Sequence, residues 1–264
     1  MKRCEIVAHR GGARLWPENS RMAIAGARAL VVEGASVDGI EVDVHLTRDD
    51  RVVVLHDATL DRTTTASGPV RERAFADLAD VGVKDREGAV KDRGLPSLDD
   101  LVRAFADTRG VLSVELKNDA RGARYPGLAA AVVDALVAAG ARDRAFVHAF
   151  DWAYLDEARA RDAQIALGGN VERETLRSHD GLYAIFDALR AKGARDVNID
   201  HRLMDKELVD AAHQKGLRVT VWTVNDPAEM ERFLKSGVDT IVTDRPDTAL
   251  ALRAAFEREI GFTP

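Results

Sequence analysis

The chain reads as an α/β protein, a single (β/α)8 TIM barrel, and three observations predict this. Short β-type runs alternate with Ala-, Leu- and Arg-rich helical stretches almost to the end, the pattern of βα units on a parallel sheet. Nine runs qualify as strands, one more than such a barrel holds, and one of them follows its predecessor too closely for a crossover. The polar residues best suited to chemistry sit at the C-terminal ends of strands, where barrels of this kind carry their sites.

The first strand, 5–9, runs through Ile6-Val7-Ala8 into His9, and Arg10-Gly11-Gly12 follows. Pro17-Glu18-Asn19-Ser20 then opens a helix over 20–33, with Asn19 or Ser20 as its cap. The second strand, 38–44, carries Glu41-Val42-Asp43-Val44. The third, 51–56, ends on His56, with Asp57 next. Leu46–Arg51 is too short for the crossover helix that parallel neighbours need, so 44–57 folds back as a hairpin. With 47 and 51 flanking its turn, 43 pairs with 55 and 41 lies opposite 57. That brings Glu41 and Asp43 beside His56. Residues 58–97 are irregular and polar. The stretch 45–97 reads as an insertion after the second barrel strand that caps the mouth. Strands 111–117, 145–149, 164–168, 195–199, 217–223 and 238–243 complete the barrel. Helices such as 126–139, 151–161, 205–215 and 227–235 lie between them, and one domain spans 1–264.

With 46% hydrophobic residues in 264, the chain can bury one substantial core. The net charge of -6 speaks against a nucleic-acid partner. An anionic substrate must therefore be met by local positive charge or a metal. The single cysteine, Cys4, permits no internal disulfide and reads as a buried strand residue. No apolar run approaches the ~20 residues of a spanning helix, so stable membrane insertion is not expected. Met1-Lys2-Arg3 resembles the start of a leader, but His9 and Arg10 interrupt before an apolar region forms. A cytoplasmic protein is expected. The sequence carries no signal for an oligomeric state.

Glu41 and Asp43 stand two apart on one strand and share a face. Glu115, in Val114-Glu115-Leu116-Lys117, adds a third carboxylate from the next barrel strand. Three carboxylates without cysteine suit a hard cation, Mg²⁺ or Ca²⁺, with Mn²⁺ also usable. His9 and His56 each end an apolar strand, and two histidines fit a cleavage that takes one proton and gives another. Arg10 and Lys117 suit a phosphate. Lys117 could instead pair with Asp119 in solvent. Trp222, at the end of the seventh barrel strand, either walls the pocket against a glycerol or choline-like group or fills the core. His45 shares the face of the acids but lies farther along the hairpin, where a plain contact is expected. His148 reads as a core histidine, and His179, His201 and His213 as loop or helix-surface residues. Asp239 and Asp244 read as organising the ends of the last strand. Gly168-Gly169 lacks the spacing of a phosphate loop. Together these residues form a phosphodiester-cleaving set.

The ordered motifs are His9-Arg10-Gly11, Pro17-Glu18-Asn19-Ser20, Glu41-Val42-Asp43, His56-Asp57, Glu115-Leu116-Lys117, Trp222-Thr223-Val224-Asn225 and Thr243-Asp244-Arg245-Pro246. In this order, over nearly the whole chain, they resemble the glycerophosphodiester phosphodiesterase family, in its cytoplasmic bacterial form. The resemblance implies a phosphodiesterase barrel with a small insertion after its second strand. It also implies metal ligands at Glu41, Asp43 and Glu115, and acid/base histidines at His9 and His56. The expected reaction is metal-dependent hydrolysis of a small-molecule glycerophosphodiester to glycerol 3-phosphate and an alcohol, through a cyclic phosphate. The alternatives are a related enzyme acting on lysophospholipids or a sugar phosphodiester, a metal-dependent sugar isomerase, and an inactive barrel that binds a phosphorylated ligand. The chain departs from the family pattern in Ser20 for the usual Thr, in Ala149-Phe150 for the usual Ser-Phe, and over Gly168–His179, where substrate choice is expected to be set.

Overall fold

The computed structural model describes residues 3–262, so Met1 and Lys2, where the leader-like segment begins, lie outside it. Nine strands form the main sheet: β1 (Glu5–Ala8), β2 (Gly39–Leu46), β3 (Val52–Val54), β4 (Val111–Leu116), β5 (Ala145–Ala149), β6 (Ala166–Val171), β7 (Asp196–Asp200), β8 (Arg218–Trp222) and β9 (Thr240–Thr243). Eight of them, all but β3, are parallel and close on themselves in the order β1-β9-β8-β7-β6-β5-β4-β2. Such strands are covered on both faces and read as apolar runs. Ile6, Ile40, Val42 and Val44 are accordingly fully buried.

Strand β3 is the extra one, and it is the arm of a hairpin. It pairs antiparallel with β2, Val44 opposite Val54 and Leu46 opposite Val52, and Leu55 donates its backbone N–H to Asp43 O at 3.0 Å. This is the predicted register. Val44 pairs with Leu116 on one edge and with Val54 on the other. Strand β3 therefore takes the edge that β1 uses lower down, at Gly39 and Ile40.

The helical ring comprises α1 (Arg21–Ala29), α2 (Leu98–Ala104), α3 (Leu128–Ala138), α4 (Ala153–Arg161), α5 (Arg173–Arg177), α6 (Leu182–Ala191), α7 (Lys206–Gln214), α8 (Pro227–Ser236) and α9 (Pro246–Glu259). Ser20 caps α1, its Oγ accepting from Ala23 N at 3.0 Å. Helix α1 stops at Ala29, short of the expected residue 33. The β-branched Val31-Val32 pairs instead with Ala35-Ser36 around a turn in which Glu33 and Gly34 have positive φ. Strand β6 runs to Val171, three residues past its predicted end. Its two glycines sit inside the strand because neighbours leave no room for a Cβ: one on Gly168 would lie 2.3 Å from the Phe146 ring, and one on Gly169 would lie 2.2 Å from Leu189.

One continuous apolar core lies between sheet and helices. A smaller cluster of Val53, Leu55, Leu60, Val70, Leu78, Val83 and Leu95 lies under the 47–97 connection. Helix α9 ties the chain's two ends together. Its fully buried Arg253 donates to Cys4 O at 3.1 Å and pairs with Asp38. Cys4 is buried, which pushes its thiol well above the ordinary range.

Candidate active site

The site stands at the C-terminal end of the barrel, over a cavity of about 310 Å³. Parallel register sets Asp43 level with Glu115, and Glu41 level with Ser113. Glu41, Asp43 and Glu115 are all buried, and each offers a carboxylate oxygen within 4.8 Å of the others. Burial, then Asp43 and Glu115, pushes the Glu41 carboxyl well above its usual range. Burial also acts to raise Asp43, but Lys117, Arg10 and the two histidines outweigh it and hold that carboxyl far below its usual range.

The cations reach the acids directly. Lys117 Nζ donates to Glu115 Oε1 at 2.6 Å and lies 3.4 Å from Asp43 Oδ1. It is half-buried and lines the cavity, with its ammonium on Glu115 and not on Asp119. Arg10 donates its backbone N–H to Glu41 Oε2 at 3.0 Å, and its Nη1 to Glu18 Oε1 at 2.9 Å. The turn after β1 makes this possible. Arg10, Gly11 and Gly12 all have positive φ, and a Cβ on Gly11 would lie 2.7 Å from the Ala23 Cβ. Asn19, also at positive φ, donates Nδ2 to Asp43 Oδ2 at 2.8 Å.

Both predicted histidines are present, each backed by a carboxylate. His9 Nδ1 lies 2.7 Å from Asp244 Oδ1, and its Nε2 is 3.9 Å from Glu41 Oε2. His56 Nδ1 lies 2.6 Å from Asp57 Oδ1. Arg62 clamps Asp57 from the other side through Nε at 2.7 Å. Hydrogen bonds from Arg62 and His56 hold Asp57 below the carboxylate range despite its burial. Burial lowers the His56 imidazole, against the pull of Asp43. A carboxylate on Nδ1 fixes the tautomer and turns Nε2 outward, the arrangement that a proton-transfer histidine needs.

His45 makes the plain contact expected of it. Its Nε2 donates to His56 O and its Nδ1 accepts from Tyr125 Oη, both at 3.0 Å, so it holds the His56 backbone. Burial depresses its pKa to about 4. His213 and Asp239 pair with each other at 2.8 Å, at the far end of the barrel.

Five residues that line or support this cavity, Asp244, Asn225, His148, Asn170 and Asn198, are not foreseen as site residues. Asp244 orients His9, and Asn225 in turn holds Asp244 through Nδ2 at 2.7 Å. Its signal was its place, a strand-end carboxylate like Asp43. His148 is indeed buried, yet it lines the cavity floor with Asn170 and Asn198. Asn170 lay beyond the strand end expected at residue 168. Trp222, by contrast, takes the first of its two expected places and lines the cavity, its ring edge-on to Phe150 with centroids 5.6 Å apart.

Three buried carboxylates within reach of one another repel unless a cation or proton lies between them. Glu41 Oε1 is buried with no hydrogen-bond partner. An all-oxygen donor set with one orphaned oxygen fits a hard divalent cation.

Residues 9–248 match the model of the glycerophosphoryl diester phosphodiesterase family. The chain is 29% identical to a glycerophosphodiester phosphodiesterase of Caldanaerobacter subterraneus, over 94% of this chain and 96% of that protein. It is 32% identical to one of Bacillus altitudinis, over 94% and 98%. Among solved structures, a proposed glycerophosphoryl diester phosphodiesterase of Agrobacterium tumefaciens has the same fold, with a TM-score of 0.88 at 24% identity over 97% of this chain and 100% of that one. An Oleispira antarctica phosphodiesterase, solved with its product sn-glycerol-3-phosphate, aligns at a TM-score of 0.77 and 22% identity over 94% and 96%.

Proposed function

The chain belongs to the glycerophosphoryl diester phosphodiesterase family, and from that premise we propose that it hydrolyses glycerophosphodiesters to glycerol 3-phosphate and an alcohol. The carrying observation is that His9, His56 and the triad Glu41, Asp43 and Glu115 meet at one cavity from three separate strands and a hairpin. A binding-only barrel has no need of two carboxylate-backed histidines beside three acids.

Glu41, Asp43 and Glu115 would hold a divalent ion, Mg²⁺ or Ca²⁺ with Mn²⁺ as a substitute. Such an ion acidifies a hydroxyl and neutralises charge on a phosphoryl group. The protein's own groups supply the rest. One histidine, through Nε2, takes the proton of the glycerol 2-hydroxyl. The freed oxygen bonds to phosphorus, and the P–O bond to the leaving alcohol breaks. The other histidine gives its proton to the departing oxygen. A cyclic phosphate results, and water opens it with the two proton transfers reversed. Lys117 and Arg10 bring positive charge to the phosphoryl oxygens.

Residues 45–97 form, in this reading, a single insertion within one domain and cap the mouth. Arg62 supports it, reaching from that segment to Glu18 at 2.8 Å. No helix among the described residues is long and apolar enough to cross a membrane. We assign the enzyme to the cytoplasm, in keeping with a free, buried Cys4 as its sole cysteine.

The test is release of glycerol 3-phosphate from glycerophosphocholine and glycerophosphoethanolamine. EDTA-stripped protein is assayed alone, then with Mg²⁺, Mn²⁺ or Ca²⁺ added separately. Release restored by an ion is expected. Folded protein that releases none with any ion would overturn the proposal.

A further inference from the structure

The cavity floor is divided by charge. His9, Arg10, Glu41, Glu115 and Lys117 come from β1, β2 and β4 or the residues just after them. Strands β5 to β8 supply His148, Asn170, Asn198 and Trp222, with Glu172 only at the exposed rim. Two polar atoms in this second half are buried and have no hydrogen-bond partner, Asn198 Oδ1 and Trp222 Nε1. One can only accept and the other can only donate.

The network behind Asn198 fixes which way its amide points. His148 Nδ1 lies 2.9 Å from Asn170 Oδ1, an atom that can only accept, so Nδ1 carries the proton. His148 Nε2 then accepts from Ser113 Oγ at 3.0 Å, which completes a neutral imidazole. Asn198 Nδ2 donates to the same Asn170 Oδ1 at 3.0 Å and lies 3.0 Å from His148 Nδ1, a nitrogen–nitrogen contact with no hydrogen bond in it once Nδ1 holds its proton. Turning the Asn198 amide over would set oxygen against oxygen. Its Oδ1 is therefore held as a free acceptor on a side chain that is only 3% exposed. Leaving a buried acceptor unmade is costly, and a fixed network around it keeps it from relaxing. Asn198 is level with Thr220, which puts Trp222 one step nearer the mouth on the adjacent strand.

Resting on the function proposed above, we infer that this neutral half is a hydroxyl-reading subsite for the glycerol unit. The phosphoryl group belongs with the charged half. The 2-hydroxyl is committed to attack on phosphorus. The terminal hydroxyl, one carbon further on, is the group with both a proton to give and no part in the chemistry. Asn198 Oδ1 accepts from it, and Trp222 Nε1 donates to an oxygen of the same glycerol unit. A site built around a hydroxyl discriminates against the analogue lacking it, because its own polar atoms are then left unpaired.

The test compares kcat/KM for glycerophosphocholine with that for the 1-deoxy analogue, the phosphocholine diester of propane-1,2-diol, which keeps the attacking hydroxyl. Wild-type protein is expected to prefer the glycerol substrate roughly 10- to 100-fold. Asn198→Leu and Trp222→Phe are each expected to draw that ratio towards one. The ratio does not depend on the fraction of active protein, and Trp222→Phe, which keeps an aromatic ring and removes the N–H donor, carries the test should Asn198→Leu fail to fold. Equal kcat/KM on both substrates in the wild type, or a ratio unmoved in both variants, would overturn the subsite while the function stands. Turnover of neither substrate by the wild type would overturn the function and the subsite together.

Discussion

His9 and Asp244 are 235 residues apart and meet at 2.7 Å, Nδ1 to Oδ1. They meet because the first and last barrel strands pair, Ala8 level with Thr243, so closing the barrel also completes the site. Asn225 Nδ2 donates to the second Asp244 oxygen at 2.7 Å, while its Oδ1 accepts the Asp244 backbone N–H at 2.9 Å. Asp244 is thus held from two sides and presents a fixed carboxylate to His9. Asp244→Asn keeps the shape but favours the wrong tautomer of His9. It is expected to lower kcat about 10- to 100-fold at nearly unchanged thermal stability. Steady-state kinetics beside a melting curve checks this. A kcat within twofold of wild type would reduce Asp244 to a strand-end organiser.

The three acids carry an electrostatic cost that an ion relieves. Burial and the neighbouring Asp43 and Glu115 already raise Glu41, so without an ion it is the member that takes up a proton. Glu41→Gln is expected to melt no lower than wild type in EDTA. With a divalent ion at 100 times its Kd, wild type gains about 2.7 kcal/mol and the variant much less. Melting with and without the ion separates the two. An ion-induced gain equal in both proteins would remove Glu41 from the ligand set.

His56 approaches from the hairpin and is anchored by Asp57 and by the His45 contact to its backbone. It lies beside the acids without belonging to the triad. His56→Ala is therefore expected to lower kcat roughly 10²- to 10⁴-fold while divalent-ion affinity, measured by calorimetry, changes little. Loss of ion binding in step with activity would make His56 a ligand.

Much of this arrangement was legible in the residues themselves. The hairpin register followed from the shortness of Leu46–Arg51, and that register alone brought Glu41 and Asp43 to His56. The charged half of the cavity could be read because ionisable residues in apolar runs stand out. The neutral half could not. Asn170 was hidden because Gly168-Gly169 looks like a strand end, whereas each glycine makes room for a bulky neighbour, Phe146 for one and Leu189 for the other. Asn198, within Val197-Asn198-Ile199, is a polar residue inside a strand whose polar neighbours, His148 and Asn170, come from two other strands. Helix α1 ends before residue 33 for a local reason. Helical periodicity continues through Leu30, and only the two-residue ribbon at Val31-Val32 cuts it short.

The same buried network predicts a pH dependence of stability. His148 is buried, and burial depresses its pKa below the ordinary 6.5, outweighing the opposing pull of Glu115 and Asn170. Its neutral form is the one that fits, since Nδ1 donates to Asn170 and Nε2 accepts from Ser113. Below 6.5 the unfolded chain takes up a proton here that the folded chain refuses. Stability contributed by this group is therefore present above 6.5 and falls as pH drops towards the depressed folded value, by up to about 1.4 kcal/mol per pH unit. Urea unfolding at pH 7.5 and 5.5 is expected to show that loss in wild type. His148→Gln, which keeps a donor and an acceptor but does not titrate, should start from lower stability and lose less between the two pH values. An equal loss in both proteins would mean that His148 accepts its proton in the folded state, and that the tautomer holding the Asn198 amide in place is not fixed.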